Sequence, residues 1–285
     1  MRTWRIALLA AAAAVAMTVL CVAPAVAQDR PSGRMTTYEL TLKDGSRLYG
    51  LIEQQDDTTI VFRSVSGIVI TTPRADVQSL RAVAGTLTDG EFRPADPNTT
   101  RLFFGPTARS LPKGQAYFSM YEFMMPFVQV GVTDRFSIGG GTPLMFGFDE
   151  GNRPFWITPK LQLLDTGRTQ VAVGAIQAFA DGDSGGIAYG VVTTGRLDAS
   201  ITAGAGFGYS SDGGHGAVVM VGGERQTGRH IAFVTENYVW QGGSGVATGG
   251  VRFFGERLSA DVGLAVPLGV GEIFAFPVVN FVYVF

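Results

Sequence analysis

The sequence of 285 residues contains one cysteine and only two histidines. Cys21 lies in an apolar N-terminal segment, so we expect the mature chain to lack disulfides, thiol catalysis and thiolate metal sites. His215 and His230 are too few for a multi-histidine metal site. The composition therefore predicts neither a metal nor a cofactor.

Charged residues are also scarce. They make up 16% of the chain, whereas a soluble protein of this size usually carries about 25%. The formal net charge of -2 argues against a nucleic-acid partner. Hydrophobic residues reach 46% and glycines number 39, yet no apolar run of about 18 residues follows residue 27. The chain is thus rich in apolar residues and glycine and poor in charge, and it predicts no transmembrane helix after residue 27.

Residues 1–27 have the pattern of a secretory signal peptide. Arg2 and Arg5 precede an apolar run over residues 6–22, and the sequence APAVA ends at Ala27. Because small residues in an Ala-x-Ala arrangement mark a cleavage site, we expect residues 1–27 to be removed. The alternative is an uncleaved anchor helix, since the run approaches the roughly 20 residues that span a bilayer.

Residues 36–84 alternate apolar and polar residues in five short runs. Turns at Asp44-Gly45, Asp56-Asp57, Ser66-Gly67 and 73–76 predict a small five-stranded barrel. The stretch LTLKDGSRLYGLI, in which an Asp-Gly turn precedes a glycine in a strongly bent strand, resembles Sm-like and SH3-like folds. The sequence TTPRADV lacks the Arg-Gly pair of Sm proteins, and six acidic residues outnumber five basic ones. We therefore expect a protein-contact or spacer module that binds no RNA.

Residues 85–114 contain four prolines. Because proline cannot donate to a strand ladder, this segment is predicted to be a linker. The stretch DPNTTRLFFGPTARSLPKGQAYFS is similar to one in a family of bacterial envelope proteins. These proteins pair a small Sm-like or SH3-like N-terminal module with a C-terminal outer-membrane β-barrel. The resemblance implies an envelope location and assigns no activity.

Residues 115–285 predict an up-and-down antiparallel transmembrane β-barrel of about twelve strands, which makes the chain all-β. Short turns that end in arginine recur about every 30 residues, the length of two strands of about 9 to 11 residues with their connections. A hairpin at 115–133 precedes these repeats, and both ends of the barrel segment fall on one side. The turn arginines are Arg135, Arg168, Arg196, Arg229 and Arg257. We expect them to contact the phosphates of outer-membrane lipids at the periplasmic rim.

Alternation within the segments supports a membrane barrel. In LDASITAGAGFGY the odd-numbered positions from Leu197 to Tyr209 are apolar, and the even-numbered positions are Asp, Ser, Thr and Gly. Such strands fit a lipid side and a lumen side. The alternative is a soluble periplasmic β-barrel that binds an apolar ligand and keeps its bulky residues inside. The segments 115–124, 215–226 and 273–285 are apolar on both faces, which predicts apolar packing on their inner side.

Charged residues in the predicted strands are candidates for lining the lumen. They are Glu122, Lys160, Asp198, Glu236, Arg252 and Asp261. Buried charges need opposite charges or water, and the adjacent strands of Glu236 and Arg252 suggest a direct ion pair. The glycine-rich inner face predicts a narrow pore for small solutes. A structural anchor barrel without conductance is the alternative.

The final residues FVYVF place Phe281, Tyr283 and Phe285 on one strand face. This ending resembles the signal by which outer-membrane barrels are passed to the barrel-insertion machinery. We therefore expect the chain in the bacterial outer membrane, with its N-terminal module in the periplasm beside an unknown protein partner.

The histidines give little support to an enzyme. His230 and Glu236 share a strand face but are about 20 Å apart at 3.3 Å per residue, too far for a hydrogen bond. His215 follows Ser210 and Asp212 in a glycine-rich segment that is typical of a surface loop. The sequence therefore predicts no catalytic site.

Overall fold

The computed structural model describes residues 37–88, 90–144, 153–270 and 274–285. The predicted signal peptide lies outside these residues. No helix in the described part of the chain is long and apolar enough to cross a membrane.

The N-terminal module contains an antiparallel five-stranded sheet. Its strands are β1 (Thr37–Leu42), β2 (Arg47–Gln55), β3 (Thr59–Ser64), β4 (Val69–Pro73) and β5 (Val77–Val83). They lie in the order β4-β3-β2-β1-β5, and a short 3-10 turn at Arg74–Asp76 joins β4 to β5. Gly45 and Gly67 adopt φ values of 87° and 85° in two of the turns, a conformation that favours glycine. The predicted strands and turns of this module are therefore present.

Apolar side chains from this sheet form a small core. Leu40, Ile60 and Phe62 are at most 1% exposed. Gly50 lies in β2 against β3, and a Cβ there would lie 2.0 Å from the Arg63 carbonyl oxygen. Only glycine permits this approach of two backbones, which explains the glycine in the second strand.

A two-stranded hairpin of β6 (Gly85–Thr88) and β7 (Glu91–Pro94) follows the module. Phe92 of β7 stacks on Tyr49 of β2, with the ring centroids 4.6 Å apart. The hairpin therefore packs against the module. The chain then continues into residues 95–112, which we call the plug.

A closed antiparallel barrel follows the plug. Its strands are β8 (Ala116–Tyr121), β9 (Met125–Gly131), β10 (Phe136–Gly141), β11 (Phe155–Ile157), β12 (Lys160–Asp165), β13 (Thr169–Ala180), β14 (Asp183–Gly195), β15 (Ala199–Ser210), β16 (His215–Gly228), β17 (Ile231–Trp240), β18 (Gly245–Phe254), β19 (Leu258–Leu268) and β20 (Phe276–Val284). Pairing of β20 with β8 closes the barrel. Both β11 and β12 pair with β10 and β13, so they are two parts of one interrupted strand. With these two counted as one, the described residues form the twelve-stranded barrel that the sequence predicts.

The five turns that contain the repeated arginines lie at one end of the barrel. They connect β9 to β10, β12 to β13, β14 to β15, β16 to β17 and β18 to β19. The N–H of Phe285 donates to the Ala116 carbonyl at 2.8 Å at the same end. We call this end the arginine rim. The repeat therefore marks one rim, as the sequence predicts.

The outer wall of the barrel carries bulky apolar side chains. On β15, Ile201 and Phe207 are 62% and 51% exposed, whereas Ser200 and Thr202 are 6% and 0% exposed. Similar exposed residues on other strands include Val130, Ile138, Leu163, Val173, Val221, Phe233, Phe253, Val262, Leu264 and Phe276. A soluble barrel would bury such side chains. The arrangement therefore contradicts the soluble alternative.

Candidate functional site in the barrel lumen

The plug lies inside the barrel. Phe103 and Thr107 are both 0% exposed, and the plug folds back on itself through a bridge between Arg101 and Pro106. The sequence predicted a linker in this region and missed the burial.

The prolines explain both the linker prediction and its error. They keep residues 85–114 out of the barrel ladder, but a segment inside a lumen can satisfy its backbone groups with side chains. Lys160 Nζ donates to the carbonyls of Thr100, Thr107 and Arg109 at 3.1, 3.2 and 2.7 Å. Polar side chains on the inner strand faces thus take the place of a neighbouring strand.

Glu236 of β17 holds the tip of the plug. Its carboxylate accepts hydrogen bonds from the N–H groups of Phe104 and Gly105, both at 3.0 Å, and from the Tyr238 hydroxyl at 2.7 Å. A Cβ at position 105 would lie 2.5 Å from that hydroxyl oxygen and 2.6 Å from Met220 Sδ. Glycine therefore allows the tip to approach the wall closely enough for both backbone donors to reach the carboxylate.

Ion pairs also join the plug to the wall. Arg252 Nη1 lies 2.7 Å from Asp96 Oδ2, and Arg109 Nη1 lies 2.6 Å from Glu224 Oε1. Arg252 pairs in addition with Asp261 on the neighbouring strand, with 2.6 Å between Nε and Oδ1. All of these side chains are more than nine-tenths buried. Removing one partner would leave an uncompensated buried charge, which typically costs about 3–5 kcal/mol.

The predicted ion pair between Glu236 and Arg252 does not form. The register of β17 and β18 places Glu236 opposite Thr248 and Arg252 opposite Ala232. The two charged residues are therefore offset along the strands by about 13 Å at 3.3 Å per residue. Glu236 and Arg252 instead find partners on the plug, a segment that the sequence predicts to be a linker.

The six predicted lumen residues separate into two groups. Lys160, Glu236, Arg252 and Asp261 converge on the plug. Asp198 is buried beside the arginine rim and accepts hydrogen bonds from Arg196 at 2.9 and 2.8 Å.

Glu122, the remaining candidate, lies in the turn between β8 and β9 and not on an inner strand face. Its φ of 49° is a turn conformation, and its carboxylate accepts a hydrogen bond from the Val279 N–H at 3.3 Å. Its placement in the lumen was wrong because the strand ends one residue earlier, at Tyr121.

The sequence pattern does not predict the charged residues through which the plug is held. Asp96, Arg101 and Arg109 were part of the presumed linker, and Glu224 lies in a segment that was interpreted as apolar on both faces. One available signal was the sequence Leu102-Phe103-Phe104. Three consecutive apolar residues between charges of both signs are unusual in a solvated linker.

Apolar clusters also pack the plug against the inner wall, and two of them contain its large apolar side chains. Leu111 belongs to one cluster, and Leu102 and Phe103 belong to the other. Their partners on the wall are Tyr117, Tyr121, Phe127, Val234, Val278 and Val282. Most of these partners come from segments 115–124 and 273–285, so the prediction of apolar packing on their inner side is confirmed.

A cavity of about 210 Å³ remains between the plug and the wall. Residues that line it include Arg101, Tyr121, Phe127, Trp156, Thr158 and Lys160. Tyr121 ends β8 and Met125 begins β9, so the cavity lies on the side of the plug away from the arginine rim. The plug therefore does not completely fill the lumen.

The N-terminal module contacts the arginine rim. Arg81 donates to both carboxylate oxygens of Glu256, at 3.0 and 2.6 Å, and also pairs with Glu39. The hydrogen bond from Arg81 lowers the pKa of Glu256 below its ordinary value. The guanidinium carbon of Arg229 lies 5.3 Å from the centroid of the Tyr49 ring, a cation–π contact. Two kinds of interaction therefore connect the module to the barrel.

The rim arginines differ in their surroundings. Arg196 donates to Asp198, and Arg229 lies over Tyr49. Contact of all five rim arginines with lipid headgroups stays a prediction.

The two histidines make no hydrogen bond to a serine or a carboxylate in the described part of the chain. His215 Nδ1 lies 3.1 Å from the Gly213 carbonyl oxygen, and His230 Nδ1 lies 3.1 Å from that of Phe254. Ser210 bonds to Asp212. Within the described ranges, no group of three or more His, Cys, Asp or Glu residues could hold a metal ion.

No known protein family matches this sequence, and no curated protein matches it. Similar solved structures include a KdgM porin in complex with disordered oligogalacturonate, with a TM-score of 0.46 and 7% identity over 59% of this chain and 96% of that one. A NanC porin has a TM-score of 0.42 and 8% identity, over 60% and 97% of the two chains. A loop-deletion mutant of OmpT, an outer membrane protein of Vibrio cholerae, has a TM-score of 0.37 and 10% identity over 88% and 97%. At these values the similarity assigns no function to the chain.

Proposed function

We propose that this chain is an outer-membrane β-barrel, with its N-terminal module on the periplasmic side. The observation that carries the proposal is the outer wall, where residues such as Phe207, Phe233 and Leu264 are all more than 50% exposed. An apolar wall around a closed barrel, with no unpaired strand edge between β8 and β20, suits the bilayer interior. The small five-stranded module, which we propose to be Sm-like or SH3-like, then lies beside the arginine rim.

We further propose that the barrel is a pore for small solutes that the plug closes. Eight-stranded barrels can be filled by their own side chains, whereas wider ones leave space inside. Here the plug occupies that space and is held largely by polar contacts, from Lys160, Glu236 and Arg252. Its departure would leave inner faces built from small residues, such as Gly204, Gly206 and Thr202 on β15.

A structural anchor without conductance is the second candidate. Burial of the plug favours the anchor. The apolar side chains of Leu102 and Phe103 are 0% exposed, and this burial opposes displacement of the plug. The contacts of Arg81 and Arg229 with the module favour it as well, since they connect the module to the rim. The anchor hypothesis requires no movement of the plug.

Fractionation tests the outer-membrane location. We expect the chain in outer-membrane fractions, with a mobility in gel electrophoresis that changes when the sample is boiled, because a closed barrel resists detergent until heated. A periplasmic protein whose mobility is the same with and without boiling would contradict the proposal.

Conductance in planar bilayers separates the pore from the anchor. The variant replaces residues 96–109 with a Gly/Ser segment of equal length, and a control replaces the outward-facing Val173 with isoleucine. A pore predicts little current from wild type and the control, and stable channels from the plug variant. If the plug variant still shows the mobility change but no current, the anchor is supported.

A further inference from the structure

The wall of the barrel is lower on one side than on the other. Strands β8 and β9 contain six and seven residues, whereas β14, β15 and β16 contain 13, 12 and 14. At about 3.3 Å per residue and a tilt of about 40°, six residues span about 15 Å, whereas the apolar band of a membrane barrel is about 25 Å tall. Both short strands reach the arginine rim. The missing height is therefore at their other end, and we call β8, the turn 122–124 and β9 the low wall.

The turn of the low wall exposes apolar side chains. Phe123 and Met124 are 62% and 44% exposed. The Phe123 ring lies against the outward-facing Phe281 of β20, with 5.4 Å between the centroids. Exposed apolar side chains are unfavourable in water and favourable in hydrocarbon. Together with the short strands, they indicate that the turn lies within the apolar band of the bilayer and not above it.

Strand β20, beside the low wall, is adapted to an unpaired edge. On the side of β8, its pairing in the described residues ends at Val279, whose N–H donates to the Glu122 carboxylate at 3.3 Å. Residues two apart on a strand present their backbone groups to the same neighbour. The next residue that faces this side is Pro277, which has no N–H to leave unpaired. Residues 276–278 continue to pair with β19, so β20 rises above the low wall without exposing an N–H there.

The cavity between the plug and the wall adjoins the low wall. Tyr121 and Met125 flank the turn, and both line the cavity. Phe104, at the tip of the plug, lines it as well and lies 5.5 Å from Tyr121 between ring centroids. Phe104 is 40% exposed although it belongs to the plug. Accessible apolar surface therefore lies on both sides of the turn.

The deeper walls of the cavity are mostly apolar. Trp156 and Ile176 line it, whereas Lys160 is turned to carbonyls of the plug and Gln129 is bonded to neighbouring side chains of the wall. The volume of about 210 Å³ exceeds that of an apolar cavity of about 150 Å³ that binds benzene. The cavity therefore has room for the end of one aliphatic chain.

We propose that the low wall is a lateral opening through which the acyl chain of a lipid in the surrounding bilayer enters the cavity. Acyl chains are the neighbours of Phe123 and Met124 when the turn lies within the apolar band. A chain that passes over this turn reaches Phe104 and Trp156 without crossing a polar surface. Its headgroup stays at the membrane surface, so the cavity does not have to accept a charge.

This inference rests on the outer-membrane barrel of the proposed function, because only a bilayer supplies the chain. It does not require that the plug moves. Fractionation and gel mobility before and after boiling test the barrel itself. The lateral opening can therefore be refuted while the barrel remains established.

Trp156 serves as a reporter inside the cavity. Trp4→Phe together with Trp240→Phe leaves Trp156 as the only tryptophan of the chain. The full chain with these two changes is folded into phosphatidylcholine vesicles whose acyl chains are either brominated or unbrominated. Bromine quenches indole fluorescence at short range, so the brominated chains should lower the emission of Trp156. Equal emission in the two lipids would overturn the proposal.

Two further variants separate chains in the cavity from chains outside the barrel. Ile176→Phe fills the cavity from the inner face of β13 and should restore most of the emission that is lost in brominated vesicles. Val173→Phe, on the outer face of the same strand, leaves the cavity open and should be quenched like its parent. Chains outside the barrel surround both variants equally. Full quenching of Ile176→Phe in a folded barrel would show that no chain enters.

The depth of the turn is tested separately. Cys21→Ser with Phe123→Cys gives a chain with a single cysteine, which is labelled with a nitroxide. The label should be more accessible to oxygen dissolved in the bilayer than to a water-soluble nickel complex. A label at Asp212→Cys, in the turn between β15 and β16 on the tall side, should show the reverse. If nickel reaches the label at residue 123 as readily as the label at residue 212, the turn lies in water and the lateral opening is refuted.

Discussion

The contacts of Lys160 allow a quantitative prediction about plug docking. Replacing Lys160 with methionine keeps the length of the side chain and removes its hydrogen bonds to the carbonyls of Thr100, Thr107 and Arg109. A net contribution of about 1 kcal/mol per bond gives a loss of about 3 kcal/mol. We use the value for a neutral hydrogen bond, below the roughly 1.5–3 kcal/mol of a charged one, because burying the ammonium group opposes part of the gain. The docked state should therefore become about 100-fold less favoured.

Hydrogen exchange of the plug amides measures this loss. Gln162→Leu removes one bond, from Nε2 to the Ala108 carbonyl at 2.9 Å, and should produce about a third of the effect. Leu161→Met is the control, because Leu161 lies between the two on the outer face and is 42% exposed. We expect faster exchange over residues 95–112 in the order Lys160→Met, Gln162→Leu, wild type. If the Lys160 variant exchanges like wild type, the plug is not held by these bonds.

Further changes test the wall, the ion pairs and the rim. Arg252→Met should destabilise the barrel by about 3–5 kcal/mol, measured as a lower temperature of the mobility change, since buried Asp96 and Asp261 lose their partner. Ile201→Arg on the outer wall should impair membrane insertion by up to about 2–4 kcal/mol, whereas Thr193→Ser inside the barrel should insert normally in the same assay. Because the pKa of Glu256 is lowered when it is bound to Arg81, that contact is present at neutral pH and is lost as the pH falls through the lowered pKa. Proteolysis of the module should therefore increase at low pH. Glu256→Gln should remove the pH dependence of the contact. Changing Arg135, Arg168 and Arg257 to glutamine should weaken binding to anionic vesicles, and unchanged binding would refute headgroup contact.

Much of the barrel could be predicted from the sequence because its signals are local. A period of two along strands such as β15, and turns that end in arginine, depend only on neighbouring residues. The plug could not be predicted in this way. Its conformation is set by groups far away in the sequence, such as Glu236 for Gly105, and its prolines are equally compatible with an extended linker.

Register explains the remaining errors. The sequence places Glu236 and Arg252 on adjacent strands, but only the pairing of Glu236 with Thr248 establishes that the two charges are offset. Glu122 was misplaced by a strand boundary, which depends on the turn geometry of residues 122 and 123. Strand identity was therefore predictable, whereas the contacts inside the barrel required the actual alignment of strands.

The position of the plug in the sequence has a consequence for how the protein assembles. The plug precedes all strands of the barrel, yet Asn280 Nδ2 donates to the Phe103 carbonyl at 3.2 Å across 177 positions. Closing such long loops costs chain entropy and is slow. The plug contacts β12, β17, β18 and β20. It can therefore hold these strands close together before β20 pairs with β8. We therefore expect that removing the plug slows folding of the barrel.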